Sequence, residues 1–112
     1  MKRELTYLAV PYSHEDPTVR EYRFLMANKA AAQLMNMGKL VYSPISHTHP
    51  IAVDNDLPNS WEYWKRMDEA FLSYSKELYI LKIDGYNESK GVRAEKEYAI
   101  KNGMDIYYLE AL

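Results

Sequence analysis

The chain has 112 residues and a formal net charge of −2, with 47% hydrophobic and 27% charged residues. We therefore expect one domain spanning residues 1–112, with neither nucleic acid nor a membrane surface as its main partner. The chain contains no cysteine, which excludes disulfides and thiolate chemistry. The N-terminal segment lacks a signal-like apolar stretch, and no apolar run is long enough to span a bilayer, so a cytoplasmic location is expected.

The first part of the chain predicts two strands separated by a helix. Residues 5–10 form an apolar run that reads as a strand. Asp16 is the predicted N-cap of the following helix, with Pro17 at its first position and Gly38 just past its end. A short second strand is predicted at residues 40–42. The predicted core stripe of the helix consists of Phe24, Ala27, Ala31 and Leu34.

The second part of the chain predicts a long loop, two helices and two strands. Residues 43–58 contain three prolines, and an irregular segment of that length in a compact domain is usually functional. Asn59 or Ser60 is predicted to cap the second helix, with Glu62 completing a capping box. The nearly continuous apolar run at residues 78–83 indicates a strand covered on both faces. A third helix at residues 91–102 and a fourth strand at 106–109 follow.

This alternating order predicts an α/β fold. We expect a single open parallel sheet of about four to five strands, Rossmann-like or flavodoxin-like, with right-handed crossovers and helices on both faces. The segments that follow the first three strands then lie at one edge of the sheet, where such folds bind ligands. An active-site cleft is therefore predicted at that edge. The polar segments expected there are Pro11-Tyr12-Ser13-His14, Ser46-His47-Thr48-His49 and Asp84 to Ser89.

Glu95 is the leading candidate for catalysis. Val92, Glu95 and Ala99 share one stripe of the third predicted helix, and that stripe faces inward. Near a helix N-terminus the macrodipole favours the ionised form, and an ionised carboxylate that faces a cleft can act as a nucleophile or an electrostatic stabiliser. The structural alternative is an ion pair with Arg93 or a lysine, or an exposed acid on a rotated helix.

Asp68 repeats this pattern on the second predicted helix. Two inward carboxylates from different helices are typical of glycosidic-bond chemistry, in which one captures the oxocarbenium-like carbon and another group handles the leaving-group proton. The alternative is a structural hydrogen bond from Asp68 to a tyrosine hydroxyl or a loop N–H. Trp64 is expected in the core or a lid, or stacked on a base. The inner stripe comprises Trp61, Trp64, Asp68, Phe71 and Leu72.

Ser89 and Gly91 open the third helix in a way that fits a small anion site. A serine at the cap and a glycine in the first turn let an anion approach the backbone N–H groups. The same residue types are common at helix starts for capping alone, which is the structural alternative.

The histidine pair His47 and His49 raises the question of a metal site. In an extended segment the two rings lie on one side, and Asp54 and Asp56 follow. The grouping has neither the HExxH spacing nor a clear third ligand, so a metal-dependent hydrolase is the least favoured function. We expect these histidines to hydrogen-bond to backbone or ligand, and we expect neither a metal nor another cofactor.

Three motifs occur in a fixed order along the chain. They are Pro11-Tyr12-Ser13-His14, Ser46-His47-Thr48-His49-Pro50-Ile51 and Gly91-Val92-Arg93-Ala94-Glu95. This ordered set resembles the nucleoside 2-deoxyribosyltransferase superfamily, which includes the 2′-deoxynucleoside 5′-monophosphate N-glycosidases. Within that superfamily, the chain is most similar to a small bacterial and phage family of unassigned function. The resemblance covers residues 5–109.

The resemblance implies roles for four residues. Glu95 matches the nucleophile toward the sugar C1′, and Tyr7 matches a tyrosine that hydrogen-bonds to it. Asp68 is close to the aspartate that assists departure of the base, with a slightly offset spacing to the next strand. Ser89 stands where the monophosphate glycosidases have a phosphate-contacting serine and the deoxyribosyltransferases often have aspartate. The basic loop of those glycosidases is replaced here by residues 12–15.

The implied function is cleavage or transfer of the N-glycosidic bond of a nucleoside or nucleoside 5′-monophosphate. The alternative is a non-catalytic module of the same fold that binds or senses a nucleotide. The resemblance also implies a homo-oligomer, a dimer or tetramer, and the eleven tyrosines supply amphipathic contact surface for one. The expected partner is thus a small molecule.

Overall fold

The structure, a computed structural model, describes residues 3–112. Met1 and Lys2, which belong to the predicted domain and to the N-terminal segment, lie outside the described residues. Within residues 3–112 the chain forms four strands and four helices. In chain order they are β1 (Leu5–Ala9), α1 (Pro17–Asn36), β2 (Val41–Tyr42), α2 (Pro44–Asp54), α3 (Trp61–Leu72), β3 (Ser75–Lys82), α4 (Lys90–Lys101) and β4 (Asp105–Glu110).

The strands form one open, all-parallel sheet in the order β2-β1-β3-β4. The predicted α/β fold with an open parallel sheet is therefore confirmed. The chain runs outward from β1 to β2 and then crosses back to β3 and β4, so the strand order reverses between β1 and β3. In open α/β sheets, ligands bind outside the carboxyl ends of the strands at such a reversal.

Alternation along the central strands divides the core into two layers. Leu8 and Val10 face α1, whereas Tyr7 and Ala9 face α3 and α4. The prediction of helices on both faces is confirmed. Because β3 is covered on both sides, its apolar run is nearly continuous, as predicted.

Helix α1 begins and ends as predicted. The Asp16 carboxylate accepts a hydrogen bond from the Thr18 backbone N–H at 2.9 Å, and Pro17 occupies the first position. Gly38, with φ of +86°, follows the last turn. Phe24 departs from the predicted core stripe, because it is only partly buried and stacks on His49.

The prediction of a long loop at residues 43–58 is wrong, because most of this segment forms α2. Pro44 lies in the first turn, where a missing N–H leaves no hydrogen bond unmade. Pro50 removes an internal hydrogen bond, but the helix buries His49 and Ala52 against its neighbours. Tertiary packing thus overrides the proline signal on which the prediction rested.

Smaller corrections concern the ends of the other elements. The predicted capping box is wrong: Ser60 is the N-cap of α3 without a side-chain hydrogen bond in the described part of the chain, and Glu62 pairs with Lys90 instead. Strand β3 begins at Ser75, before the predicted start. Among the helices formed by residues 3–112, none has the length and apolar character needed to cross a bilayer.

Candidate active site

A cleft of about 360 Å³ opens at the carboxyl-end edge of the sheet, where the strand order reverses. Its walls come from the segments that follow β1, β2 and β3 and from the starts and inner faces of α3 and α4. The three predicted polar segments therefore contribute to one concave site. The lining residues are Val10, Tyr12, Ser13, Pro44, Ile45, Thr48, Asn59, Ser60, Trp61, Glu62, Trp64, Asp68, Glu88, Ser89, Lys90, Gly91 and Glu95.

Glu95 lines this cleft and is only 4% exposed. It shares the buried stripe of α4 with Val92 and Ala99, so the alternative of an exposed acid does not hold. Its Oε2 accepts a hydrogen bond from the Tyr7 hydroxyl. The structure thus contains the hydrogen bond between Tyr7 and Glu95 that the resemblance implies.

The expected ionisation of Glu95 requires a correction. Burial raises the pKa of Glu95 well above its usual value, the Tyr7 hydrogen bond opposes this shift, and the nearby Asp68 adds to it. The helix macrodipole does not prevent the rise, because Glu95 lies beyond the first turn of α4, where the dipole effect has faded. Burial therefore favours the neutral form of Glu95 in the free protein.

Asp68 reaches the same cleft from α3 and is 6% exposed. Burial raises the pKa of Asp68 to about 7. Within the described residues, no hydrogen-bond partner lies near its Oδ1, so the structural alternative of a bond to a tyrosine hydroxyl or a loop N–H is not realised at that atom. An unpartnered buried carboxyl oxygen is costly, and a ligand donor in the cleft would relieve that cost.

Tyr7 lies behind this pair and is fully buried. Burial raises the pKa of the Tyr7 hydroxyl well above its usual value, and the adjacent Glu95 and Asp68 add to the shift. The hydroxyl therefore stays protonated and serves as a fixed donor to Glu95. Its ring packs on Tyr42, which in turn stacks on Phe71 at a centroid distance of 3.8 Å.

The mouth of the cleft is formed by the starts of α3 and α4. The Ser89 hydroxyl accepts a hydrogen bond from the Val92 N–H at 3.1 Å, so it caps α4, and its own hydrogen is left to donate elsewhere. The Lys90 ammonium pairs with Glu62 across the opening, and both side chains are exposed. Such an exposed pair stabilises the fold only weakly and is readily displaced by a competing anion.

Trp64 and Ser13, two predicted site residues that line the cleft, make hydrogen bonds that hold the cleft wall in place. The indole N–H of Trp64 donates to the Pro58 carbonyl at 2.8 Å, which fixes the ring at the cleft wall. The Ser13 hydroxyl donates to the Asn59 carbonyl, which ties the segment after β1 to the start of α3. Gly91 lies against the Trp61 ring, where a Cβ would be 3.5 Å from the ring carbon Cε3.

Tyr12, which lines the cleft, is hydrogen-bonded to His49 behind the cleft wall. The Tyr12 hydroxyl oxygen lies 2.6 Å from His49 Nδ1, and His49 Nε2 lies 2.9 Å from Glu21 Oε1. His49 is 4% exposed and stacks on Phe24 at 4.5 Å between ring centroids. Sequence reasoning missed Glu21, because its contact depends on how α1 and α2 pack together.

Besides His49, the structure leaves four predicted substrate-binding residues outside the lining of the cleft. The exposed His14 ring accepts from the Asp16 N–H at 3.0 Å, and the side chain of Asp84 is exposed. His47 bonds to the Tyr42 hydroxyl at 3.1 Å, while Pro11 is buried behind the wall. Glu62, which the sequence marked only for a capping box, and Lys90, which no spacing pattern marked, line the mouth by contrast.

The predicted alignment of His47 and His49 is wrong, because α2 is helical. Residues two apart on a helix point to nearly opposite sides, and the two rings accordingly meet Tyr42 and Glu21. Between residues 3 and 112, no cluster of three or more histidine, cysteine, aspartate or glutamate side chains is arranged to hold a metal ion.

Comparison with known proteins bears on the family of this chain. None of the curated proteins matches it. One protein family, described as Domain of unknown function (DUF1937), matches residues 4–111, and this range includes all the strands, all the helices and the whole lining of the cleft. The chain therefore belongs to the DUF1937 family.

Proposed function

We propose that this protein cleaves or transfers the N-glycosidic bond of a nucleoside or nucleoside 5′-monophosphate in the cytoplasm. One observation carries the proposal: Glu95 and Asp68 are buried carboxyls from different helices that line one cleft, and Tyr7 donates to the first. Paired carboxyls around a reacting sugar carbon are the usual machinery of glycosidic cleavage. The resemblance to the nucleoside 2-deoxyribosyltransferase superfamily supports the same reading.

The reactive state of the pair carries one proton. Burial disfavours ionisation of both carboxyls at once, so the two groups titrate as a coupled unit. The Tyr7 hydrogen bond stabilises a negative charge on Glu95 and on no other member of the pair. Burial favours neutral Glu95 in the free protein, so the proposed reactive state, with Glu95 as the carboxylate and the proton on Asp68, requires a proton shift that the Tyr7 hydrogen bond assists.

The reaction then proceeds in two halves. The Glu95 carboxylate bonds to C1′ while the C1′–N bond breaks, and the departing nitrogen takes the proton of Asp68. Water or a second base next bonds to C1′ and gives up a proton as the C1′–O bond to Glu95 breaks, and the Asp68 carboxylate left by the first half takes up a proton again. Water as the acceptor makes the protein a hydrolase, and a second base makes it a transferase.

The mouth of the cleft supplies a place for a 5′-phosphate. Ser89, the first N–H groups of α4 and the Lys90 ammonium lie together there. Ser89→Asp keeps the cap but adds a negative charge, so we expect it to raise KM for monophosphates about tenfold and to spare nucleosides. Equal effects on both substrate classes would show that no phosphate binds at this position.

Base release from a substrate panel tests the proposed activity. The purified protein is incubated with nucleosides and their 5′-monophosphates, with and without an acceptor base, and free base is measured by chromatography. We expect release from at least one compound, lost in Glu95→Ala and retained in Glu97→Ala, which alters the exposed face of the same helix. No release from any compound, or equal release by Glu95→Ala, would refute the proposal.

A second candidate is a nucleotide-binding module without turnover. The raised pKa of Glu95 favours it, because a neutral carboxyl is a poor nucleophile but a good hydrogen-bond donor to a ligand. Thermal stabilisation by a nucleotide that is recovered intact after prolonged incubation would identify this function.

We also propose that the protein works as a homo-oligomer. Support comes from large apolar and aromatic side chains that the single chain leaves exposed, among them Tyr22, Leu25, Met35, Tyr107 and Tyr108. Sedimentation equilibrium should give the mass of a dimer or tetramer, and a monomer at micromolar concentration would contradict this proposal.

A further inference from the structure

Three hydrogen-bonded side chains connect the cleft to solvent. Tyr12 lines the cleft, and its hydroxyl oxygen is 2.6 Å from Nδ1 of His49. Nε2 of His49 is 2.9 Å from the carboxylate of Glu21, whose side chain is 55% exposed. Tyr12 and His49 themselves are at most 9% exposed. A continuous path of titratable groups thus runs from the cleft through the protein to its surface.

The chemistry of the end groups fixes the direction of these hydrogen bonds. A carboxylate oxygen accepts, so the Nε2–H tautomer of His49 is the one that donates to Glu21. Nδ1 then accepts from the Tyr12 hydroxyl, and the Arg20 guanidinium donates to the Tyr12 oxygen, which leaves one lone pair of that oxygen for a group in the cleft. A carboxylate that holds the histidine tautomer while the other nitrogen accepts from a hydroxyl is the arrangement of hydrolytic triads.

We propose that Tyr12, His49 and Glu21 form a proton relay that removes the acceptor proton in the second half of the reaction. This inference rests on the proposed function. As the acceptor oxygen or nitrogen bonds to C1′ and the C1′–O bond to Glu95 breaks, the acceptor proton moves to the Tyr12 oxygen. The Tyr12 hydroxyl proton moves at the same time to Nδ1 of His49. The imidazolium then releases one proton to solvent beside Glu21, exchange with water restores the starting tautomer, and Asp68 regains from solvent the proton that it gave to the base.

The surroundings suit transfer through Tyr12 and not a standing phenolate. Burial raises the pKa of Tyr12, the neighbouring Arg20 opposes the rise, and Glu21 adds to it. Phe24 stacks on the His49 ring and adds no charge. Tyr12 therefore stays a phenol in the free protein and passes a proton only while His49 takes one up.

The proposed relay acts only in the second half of the reaction, whereas base is released in the first half. A rapid-mixing experiment can therefore distinguish the two halves. Substrate is mixed with a stoichiometric amount of protein and base release is followed in time. In Tyr12→Phe the first equivalent of base should appear at the wild-type rate, and later turnovers should slow about a hundredfold, as for loss of a general base. Tyr74→Phe, which changes an exposed tyrosine elsewhere, should match the wild type.

A surface variant guards against misfolding of Tyr12→Phe. Glu21→Gln changes an exposed side chain and should slow later turnovers about tenfold. In ¹⁵N spectra of histidine-labelled wild type, His49 should be the Nε2–H tautomer, and Glu21→Gln should give a mixture.

The outcomes distinguish the two proposals. A wild type that releases no base refutes the proposed function and leaves the relay without a reaction. A first equivalent of base followed by unchanged later turnovers in Tyr12→Phe and Glu21→Gln overturns the relay and leaves the proposed function standing. An Nδ1–H tautomer of His49 in the wild type also overturns the relay, whatever the turnover rates.

Discussion

At the residue scale, two buried acids show how pairing decides ionisation. Burial alone would raise the pKa of Glu77, but a hydrogen bond from Thr6 and the Lys39 ammonium at 3.0 Å outweigh it, and the pKa is lowered. Asp68 is equally buried, and burial raises its pKa to about 7. A structural acid is thus paired inside the fold, whereas the cleft acid retains an oxygen for a ligand.

This contrast predicts opposite pH effects on stability. The pKa of Asp68 is raised in the folded protein. Its contribution to the free energy of unfolding is therefore present at low pH and is lost as pH rises toward and through about 7. Asp68→Asn should therefore raise the free energy of unfolding at pH 8 by about 2 to 4 kcal/mol and change it little at pH 4. Urea denaturation at both pH values measures this.

Glu77→Gln is the matched control for that measurement. The folded pKa of Glu77 is lowered, so its contribution is present above the unfolded pKa and is lost on acidification. This variant should be less stable than the wild type at pH 8, with a smaller deficit in acid. Equal destabilisation by both variants at pH 8 would contradict the assignment of Asp68 as a strained cleft acid.

The Tyr7 hydroxyl is predicted to set the acid limb of activity. Tyr7→Phe removes the donor to Glu95 while keeping the buried ring, so the pKa of Glu95 should rise further and less of the carboxylate form remains. The acid limb of the pH profile of kcat/KM should move to higher pH. At the acid end of that limb, kcat/KM should fall at least about tenfold. An unmoved acid limb would separate Tyr7 from the ionisation of Glu95.

At the element scale, the position of the cleft mouth depends on the segment between β3 and α4. Buried Arg23 of α1 donates to the Ser13 carbonyl at 3.2 Å and to the Asp84 carbonyl at 3.3 Å, so it ties the segment after β1 to that after β3. Gly85 allows this approach, because its φ is +95° and a Cβ there would overlap the guanidinium.

Two glycine variants distinguish the cost of backbone strain at positive φ from the cost of steric overlap with Arg23. Gly38→Ala adds a Cβ where no described atom lies within 4 Å, so it should cost about 1 to 2 kcal/mol from positive φ alone. Gly85→Ala should cost at least about 1 kcal/mol more, because Arg23 must move. Urea denaturation gives both values. Equal costs would show that the Arg23 contact does not hold this segment.

Local signals predicted some elements and failed for others. Asp16, Pro17 and Gly38 act within a turn of the helix ends they mark, so the bounds of α1 were predictable from sequence. The helix α2 was not, because Pro50 argues against it locally and only packing of buried residues such as His49 supports it. The contact from His49 to Glu21 could not be predicted either, since it depends on α2 being helical.

At the scale of the whole molecule, the strand order of the sheet determines where the two cleft acids lie. Glu95 and Asp68 lie far apart in sequence, yet the reversal between β1 and β3 brings both to one edge. The alternation of strands and helices and the inward stripes predicted that edge and both acids. The spacing of residues within one helix could not predict which neighbours enclose an acid, so the raised pKa of Glu95 required the packed structure.

The most direct test of the account is to identify the group that bonds to the sugar. A substrate that releases base is mixed with the protein, the reaction is quenched in acid, and the digested protein is examined by mass spectrometry. We predict that the peptide containing Glu95 gains the mass of the sugar or sugar phosphate, and that Glu95→Gln shows neither this adduct nor base release. Base release by Glu95→Gln at the wild-type rate would contradict the account.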